Sequence, residues 1–141
     1  MPKTARSARV ASKQRVEVVT TNKTVTANES GETYFVSGSS AITLTLPVAA
    51  DGLYYHVVPF VGMTKFVAVT GSSYFVGGIL QLSGTATTMV NGNGTYGTKL
   101  TPIVAGTSGS DFMTITAVPI SATAYGYIVQ GAVSGTAAFT A

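Results

Sequence analysis

From Val16 onward, apolar and polar residues alternate in short runs, and no apolar repeat of 3.6 residues persists for three turns. The segments VEVVTT (Val16–Thr21), KTVTA (Lys23–Ala27) and TYFVS (Thr33–Ser37) are rich in β-branched and aromatic residues, which suit a pleated, half-buried surface. Glu29-Ser30-Gly31 interrupts them. Ile42, Leu44 and Leu46 then alternate with Thr43 and Thr45 as far as Pro47, a period of 2 that predicts a strand with one buried face. Asp51-Gly52 predicts a turn into Leu53–Phe60, where Leu53, Tyr55 and Val57 share one face and His56 takes the other. Lys65–Thr70 reads as another strand, bounded by Gly62 and Gly71. Tyr74–Val76 and Ile79–Leu82 flank Gly77-Gly78, a pair that suits a hairpin turn. Thr85–Thr98, with Asn91-Gly92-Asn93-Gly94 inside it, reads as a long loop. Phe112–Val118 and Ala124–Val133 are the firmest late strands, with Tyr125, Tyr127, Val129 and Val133 on one face, and Thr136–Thr140 is a short closing strand. About ten short strands with frequent turns predict an all-β chain: one antiparallel β-sandwich or barrel over residues 16–141. The pattern does not separate sandwich from barrel.

Composition shifts the reading from a solitary domain towards an assembled one. Charged residues are only 9% of the 141, against roughly 25% in an ordinary soluble domain, and Thr, Ser and Gly fill most positions that are not apolar. Such a surface is either very polar without charge or buried against neighbours, and low net charge favours association. The charge is also segregated. Lys3, Arg6, Arg9, Lys13 and Arg15 fall in the first fifteen residues with no acid among them. The remainder holds Lys23, Lys65 and Lys99 against Glu17, Glu29, Glu32, Asp51 and Asp111, so a slightly acidic body carries a basic arm over residues 1–15. The arm shows no apolar period and is expected to be extended and disordered when free. There is no cysteine, so disulfides and thiolate metal sites are excluded. No run approaches the 18 apolar residues of a membrane helix, and no apolar stretch follows the basic residues as in a secretory signal, so a cytoplasmic origin is expected.

The groups that carry chemistry are sparse. His56 is the single histidine, and a lone strand histidine is ordinarily a polar surface residue. Glu29 and Glu32 flank a Ser-Gly turn as a solvated pair, while Asp51 and Asp111 read as turn residues. Metal binding would need clustered ligands, and the acids are scattered in sequence. No Walker lysine follows the glycines and no G-x-S-x-G elbow is present. No catalytic residue, cofactor or metal ligand is therefore expected. The arm is the one charged feature with a function to suggest. Its five cations could release counterions from a nucleic acid, but it lacks aromatics for stacking, and an acidic protein surface is the favoured partner.

The segment TVTANESGETYFVSGSSAITLTLPVAADGLYYHVV (Thr24–Val58) resembles a pattern recurrent in tailed-bacteriophage virion proteins. In that pattern a Ser-Gly turn leads to an apolar strand ending in Leu-Pro, then to an Ala-rich stretch and a Gly before an aromatic strand. The corresponding features are Ser30-Gly31, Ile42–Pro47, Ala49-Ala50 and Gly52–Val58, about a quarter of the chain. The small size is most like a head decoration, or capsid cement, protein. The resemblance implies a virion protein on the outer capsid surface, with the major capsid protein as partner and a homo-oligomer, a trimer by preference. It carries over no catalytic residue. Tyr54, Tyr55, Phe60 and Phe66 are candidate interface anchors, because aromatics dominate interface energetics, although Tyr55 suits the core better. Two alternatives stand beside it: a small coat protein that forms the shell with the arm turned inward to the genome, and a tail-fibre or receptor-binding appendage using the Asn91–Gly94 loop.

Overall fold

The computed structural model describes residues 15–38, 40–59, 66–83, 86–91, 97–104, 111–133 and 138–140. Among these the chain is all-β, with eleven strands, a single 3-10 turn at Ala27–Glu29 and no α-helix. The strands are β1 (Val16–Val19), β2 (Lys23–Thr24), β3 (Thr33–Val36), β4 (Ile42–Thr45), β5 (Tyr54–Pro59), β6 (Phe66–Ser83), β7 (Ala86–Asn91), β8 (Gly97–Val104), β9 (Phe112–Pro119), β10 (Tyr125–Val133) and β11 (Ala138–Thr140).

The first half of the chain coils. Odd strands pair in parallel with odd ones, Val16 with Thr33 and Thr33 with His56, while even strands pair in parallel with even ones, Lys23 with Leu44 and Leu44 with Val69. Each return to a stack therefore passes through a strand of the other stack, which provides the crossover that parallel neighbours require without a helix. The later strands join the two stacks. β9 lies antiparallel to β5, β10 antiparallel to β9, and β10 parallel to the far half of β6, so the order runs β1-β3-β5-β9-β10-β6-β4-β2. β7 and β8 pair antiparallel with β6, and β11 with β8. The antiparallel arrangement expected from the sequence is thus corrected to a mixed one. Alternation reports which face a residue takes and carries no information on strand direction.

The core is read from the register. Tyr34, Val57, Met113 and Ile79 follow one another across β3, β5, β9, β10 and β6, with Gly131 between the last two, and all four side chains are fully buried. Ile42 and Leu44 of β4 are buried in the even stack. Four aromatic rings run through this interior: Tyr34 stacks near Tyr55 (6.5 Å), Tyr55 meets Tyr127 edge-on (6.4 Å) and Tyr127 stacks on Phe75 (5.7 Å). Two of their hydroxyls reach segments adjoining the even stack. Tyr55 donates to the Thr26 carbonyl (3.2 Å) and Tyr127 to the Pro47 carbonyl (3.0 Å). The Ala49 amide donates to the buried Ser73 Oγ (2.8 Å), tying the segment after β4 to β6.

Several local expectations change. Gly77-Gly78 is not a turn: β6 runs through it, with Gly77 at φ 110°. The glycine serves close approach instead, since a Cβ there would lie 2.3 Å from the Val129 carbonyl oxygen. Thr85–Thr98 is not one long loop, because it contains β7 and the start of β8. Tyr125 does not join Tyr127, Val129 and Val133 inside, but is 37% exposed at the start of its strand. Glu32 is buried rather than solvated, and Asp111, read as a turn residue, is buried as well.

Candidate interaction face and the charged seam

Two features carry functional potential: the side of the β1-β3-β5-β9-β10-β6 run that faces away from the core, and a charged cluster where the two ends of the strand path meet.

The outward side is assembled row by row from the register. One row is Val16, Thr33, His56, Thr114, Gln130 and Gly78. A second is Tyr54, Thr116, Ile128 and Val76, a third Val18, Phe35 and Val58, and a fourth Phe112, Ala132 and Leu80. No Asp, Glu, Lys or Arg stands in any of them. Val16 (59%), Val18 (66%) and Phe112 (50%) are more than half or half exposed, and most of the other positions are half-buried. The period-2 pattern is why: in β3, β5, β9, β10 and the far half of β6 the inward set is apolar or Gly, and the alternate set is aliphatic, aromatic or uncharged polar rather than the charged residues that usually solvate an outer face. His56 is the one ionisable imidazole here. Its Nδ1 lies 3.3 Å from Thr114 Oγ1, and its ring meets Tyr54 edge-on at 6.0 Å, both uncharged neighbours.

The charged cluster sits at the seam. β1 and β2 are the two ends of the strand path, and the inward position of each end is charged. Glu17 is the register partner of buried Tyr34, and Lys23 that of buried Leu44, so both point to the interior side. They meet at 3.1 Å, and Lys23 Nζ also bonds Glu29 at 2.7 Å and lies 5.7 Å from the Tyr34 ring centre. Glu29 is held in turn by the Thr26 amide (2.6 Å) and hydroxyl (2.8 Å) at the head of the 3-10 turn. Arg15 Nη1 stands 3.7 Å from Glu32. The carboxylates of Glu17, Glu29 and Glu32 lie within 4.8 Å of one another, which corrects the expectation of scattered acids. Lys23 and Arg15 are the counter-ions this cluster carries, and they give it a structural role: a side-chain clasp between the edge strands. A lysine here should matter more than a surface ion pair, because its removal leaves three close carboxylates facing only Arg15. Lys23→Met is expected to lower stability by about 2 kcal/mol at pH 7, with the loss shrinking near pH 4, as read by urea denaturation at both pH values.

Proton equilibria follow from this packing. The Lys23 ammonium is held above its usual range by its hydrogen bond to Glu29 first, against the opposing effect of burial, with Glu17 adding to it. Burial pushes the Glu29 carboxyl up, but the bonds from Lys23 and Thr26 outweigh it and leave the group below the usual carboxylate range. The Tyr34 phenol is pushed up by burial, then by Glu29, Glu32 and Glu17; Tyr127 by burial and Tyr55; Tyr55 by burial and Glu29. Raised values in Lys23 and the three phenols mean stability that is whole below roughly pH 10 and lost as pH rises through the folded-state values. The lowered Glu29 contributes stability that is whole above about pH 4.3 and lost as pH falls through its folded value. Alkaline titration should therefore show the tyrosinate absorbance of Tyr34, Tyr55 and Tyr127 rising only together with loss of β-sheet circular dichroism. Gradual ionisation of all seven tyrosines with the sheet intact would contradict the burial.

The sequence-derived candidates divide accordingly. Tyr54 is 45% exposed and stands on the outer face, whereas Tyr55 is fully buried in the aromatic run, the core place that suited it better than an anchor's. Phe66 opens β6. Phe60 lies outside the described residues, as do Lys3, Arg6, Arg9, Lys13 and most of the Asn91–Gly94 loop. Arg15 is described, and its exposed guanidinium lies 3.7 Å from Glu32. Sequence reasoning missed the seam, for which Thr26-Ala27-Asn28-Glu29, a capping-box spacing, is the only local signal. Family models, curated proteins and solved structures were all compared with the chain, and none matches it.

Proposed function

We propose that this chain is a non-enzymatic structural protein that acts by packing its β domain against other chains, as a capsid decoration protein on the outer surface of a phage head. The observation that supports assembly is the uncharged outer face, which six strands build without one formal charge. The virion setting comes from the resemblance of Thr24–Val58 to tailed-phage virion proteins. In this reading the strand path forms a flattened barrel or sandwich whose seam is held by the Lys23 cluster. The domain sits as a homo-oligomer over contacts between capsomers, and residues 1–15 stretch across the major capsid protein and add salt-sensitive contacts through Lys3, Arg6, Arg9, Lys13 and Arg15. Tyr54 is the anchor that remains best placed, being exposed and aromatic on that face.

The test is co-sedimentation of the purified chain with pre-formed empty heads over a range of salt. A decoration protein stays a small oligomer in solution and pellets only with heads, and deletion of residues 1–15 weakens binding most at low salt. Closed megadalton particles formed by the chain alone would mean that it is the shell itself, with the arm turned towards nucleic acid. Binding to host cells without binding to heads would mean an appendage protein.

A further inference from the structure

We infer that the uncharged outer face is the surface through which copies of this chain bind one another. This rests on the assembly reading above and names the partner of its principal surface.

Three observations point to a second copy rather than an unrelated chain. The first is charge. A facing Lys or Glu would be desolvated against rows that hold no counter-ion, at a cost of several kcal/mol, so the partner surface must itself be free of charge. Another copy of the same face meets that condition. The second is shape. A run of strands with Thr, Val and Ile at its outward positions is matched by another such run, since sheets pack face to face about 10 Å apart through interleaved side chains. The third is area. Six strands at about 4.8 Å spacing give a width of about 29 Å, and their four- to eight-residue pairings a height of about 13–27 Å, so the flat footprint is roughly 600 Å². A standard stable interface takes roughly 800 Å² per partner, and accessible area exceeds a flat footprint because side chains stand out from it. The face is thus about as large as self-association needs.

The test uses the full-length chain. Gln130→Glu adds a charge in the middle row at an exposed, near-isosteric position, and Val18→Glu adds one at the exposed edge. Val48→Glu, 68% exposed and outside all four rows, is the control. Sedimentation equilibrium from about 1 to 100 μM should give a discrete oligomer for the wild type and for Val48→Glu. Both face variants should weaken association at least about tenfold while keeping the wild-type urea midpoint. Since Gln130→Glu changes little but charge, it keeps the test decisive if Val18→Glu perturbs the edge strand. A wild type that sediments as a 14.4 kDa monomer at 100 μM, or face variants that associate like the wild type, would overturn the inference. Head binding is scored separately. A monomer that pellets with heads would retain the decoration reading and assign the face to the capsid. An oligomer that is broken by Gln130→Glu yet ignores heads would retain this inference and remove decoration.

Discussion

Gly77→Ala is expected to lower unfolding stability by about 3–5 kcal/mol, enough to leave the chain partly unfolded at ambient temperature. Two effects coincide at this residue. Its φ of 110° lies where L side chains are strained, and the missing Cβ would lie 2.3 Å from the Val129 carbonyl oxygen and 2.9 Å from the Val129 nitrogen. Neither neighbour is the end of a flexible side chain. Both belong to the backbone of β10, whose parallel pairing with β6 joins the two stacks. Relief therefore requires separating β6 from β10 at the joint of the fold. Gly131 gives an independent check, because a Cβ there would meet the Phe112 carbonyl oxygen at 2.2 Å within the β9–β10 pairing. Gly52→Ala keeps the backbone strain of a positive φ (78°) but has nothing within 4 Å of the added atom, so it should cost less, about 1 kcal/mol. Urea midpoints of the three variants make the comparison directly. Equal, small losses would show that β6 and β10 do not approach as described.

Tyr127→Ala is expected to have a comparable effect, about 3–5 kcal/mol, through the aromatic run rather than the backbone. Tyr127 contacts both Tyr55 and Phe75, is fully buried, and its hydroxyl reaches the Pro47 carbonyl across the core. Truncation removes the ring that joins its neighbours and leaves a cavity between the stacks. The phenylalanine series separates ring from hydroxyl. Tyr127→Phe should cost about 1–2 kcal/mol, because the Pro47 carbonyl loses its donor, and Tyr55→Phe a similar amount for Thr26. Tyr34→Phe should be neutral or stabilising, since its buried hydroxyl has no hydrogen-bond partner among the described residues. Thermal melts that ranked Tyr34→Phe as the most damaging of the three would contradict this packing.

These residues also show how far the sequence could be read. Period 2 placed side chains well where a strand was short and regular. Ile42 and Leu44 are buried, and His56 lies opposite Tyr55 and Val57, because facing depends only on alternation. Strand direction and partner were not legible, since Val16 meeting Thr33 in parallel depends on a chain excursion through β2. The Gly77-Gly78 pair was misread because positive φ serves a hairpin turn and a close backbone approach equally. The seam was hidden for a related reason. Glu17, Lys23, Glu29 and Glu32 look like isolated surface charges until β1 and β2 are known to be the two ends of one strand path. The outer face was partly legible: 9% charged residues foretold a surface short of solvating groups, but only the register assigned that shortage to one side of six strands.

The most direct test of the claim that this face is covered by another chain exploits the absence of cysteine from the sequence. Thr116→Cys places a single thiol on the outer face, on β9 within the row of Tyr54 and Ile128, and Thr123→Cys places one at an exposed position outside its rows. Maleimide labelling of each full-length variant is timed at about 1 μM and about 100 μM. Labelling at position 116 is expected to slow at least about tenfold at the higher concentration while labelling at position 123 does not change. Equal rates at both positions and both concentrations would contradict it.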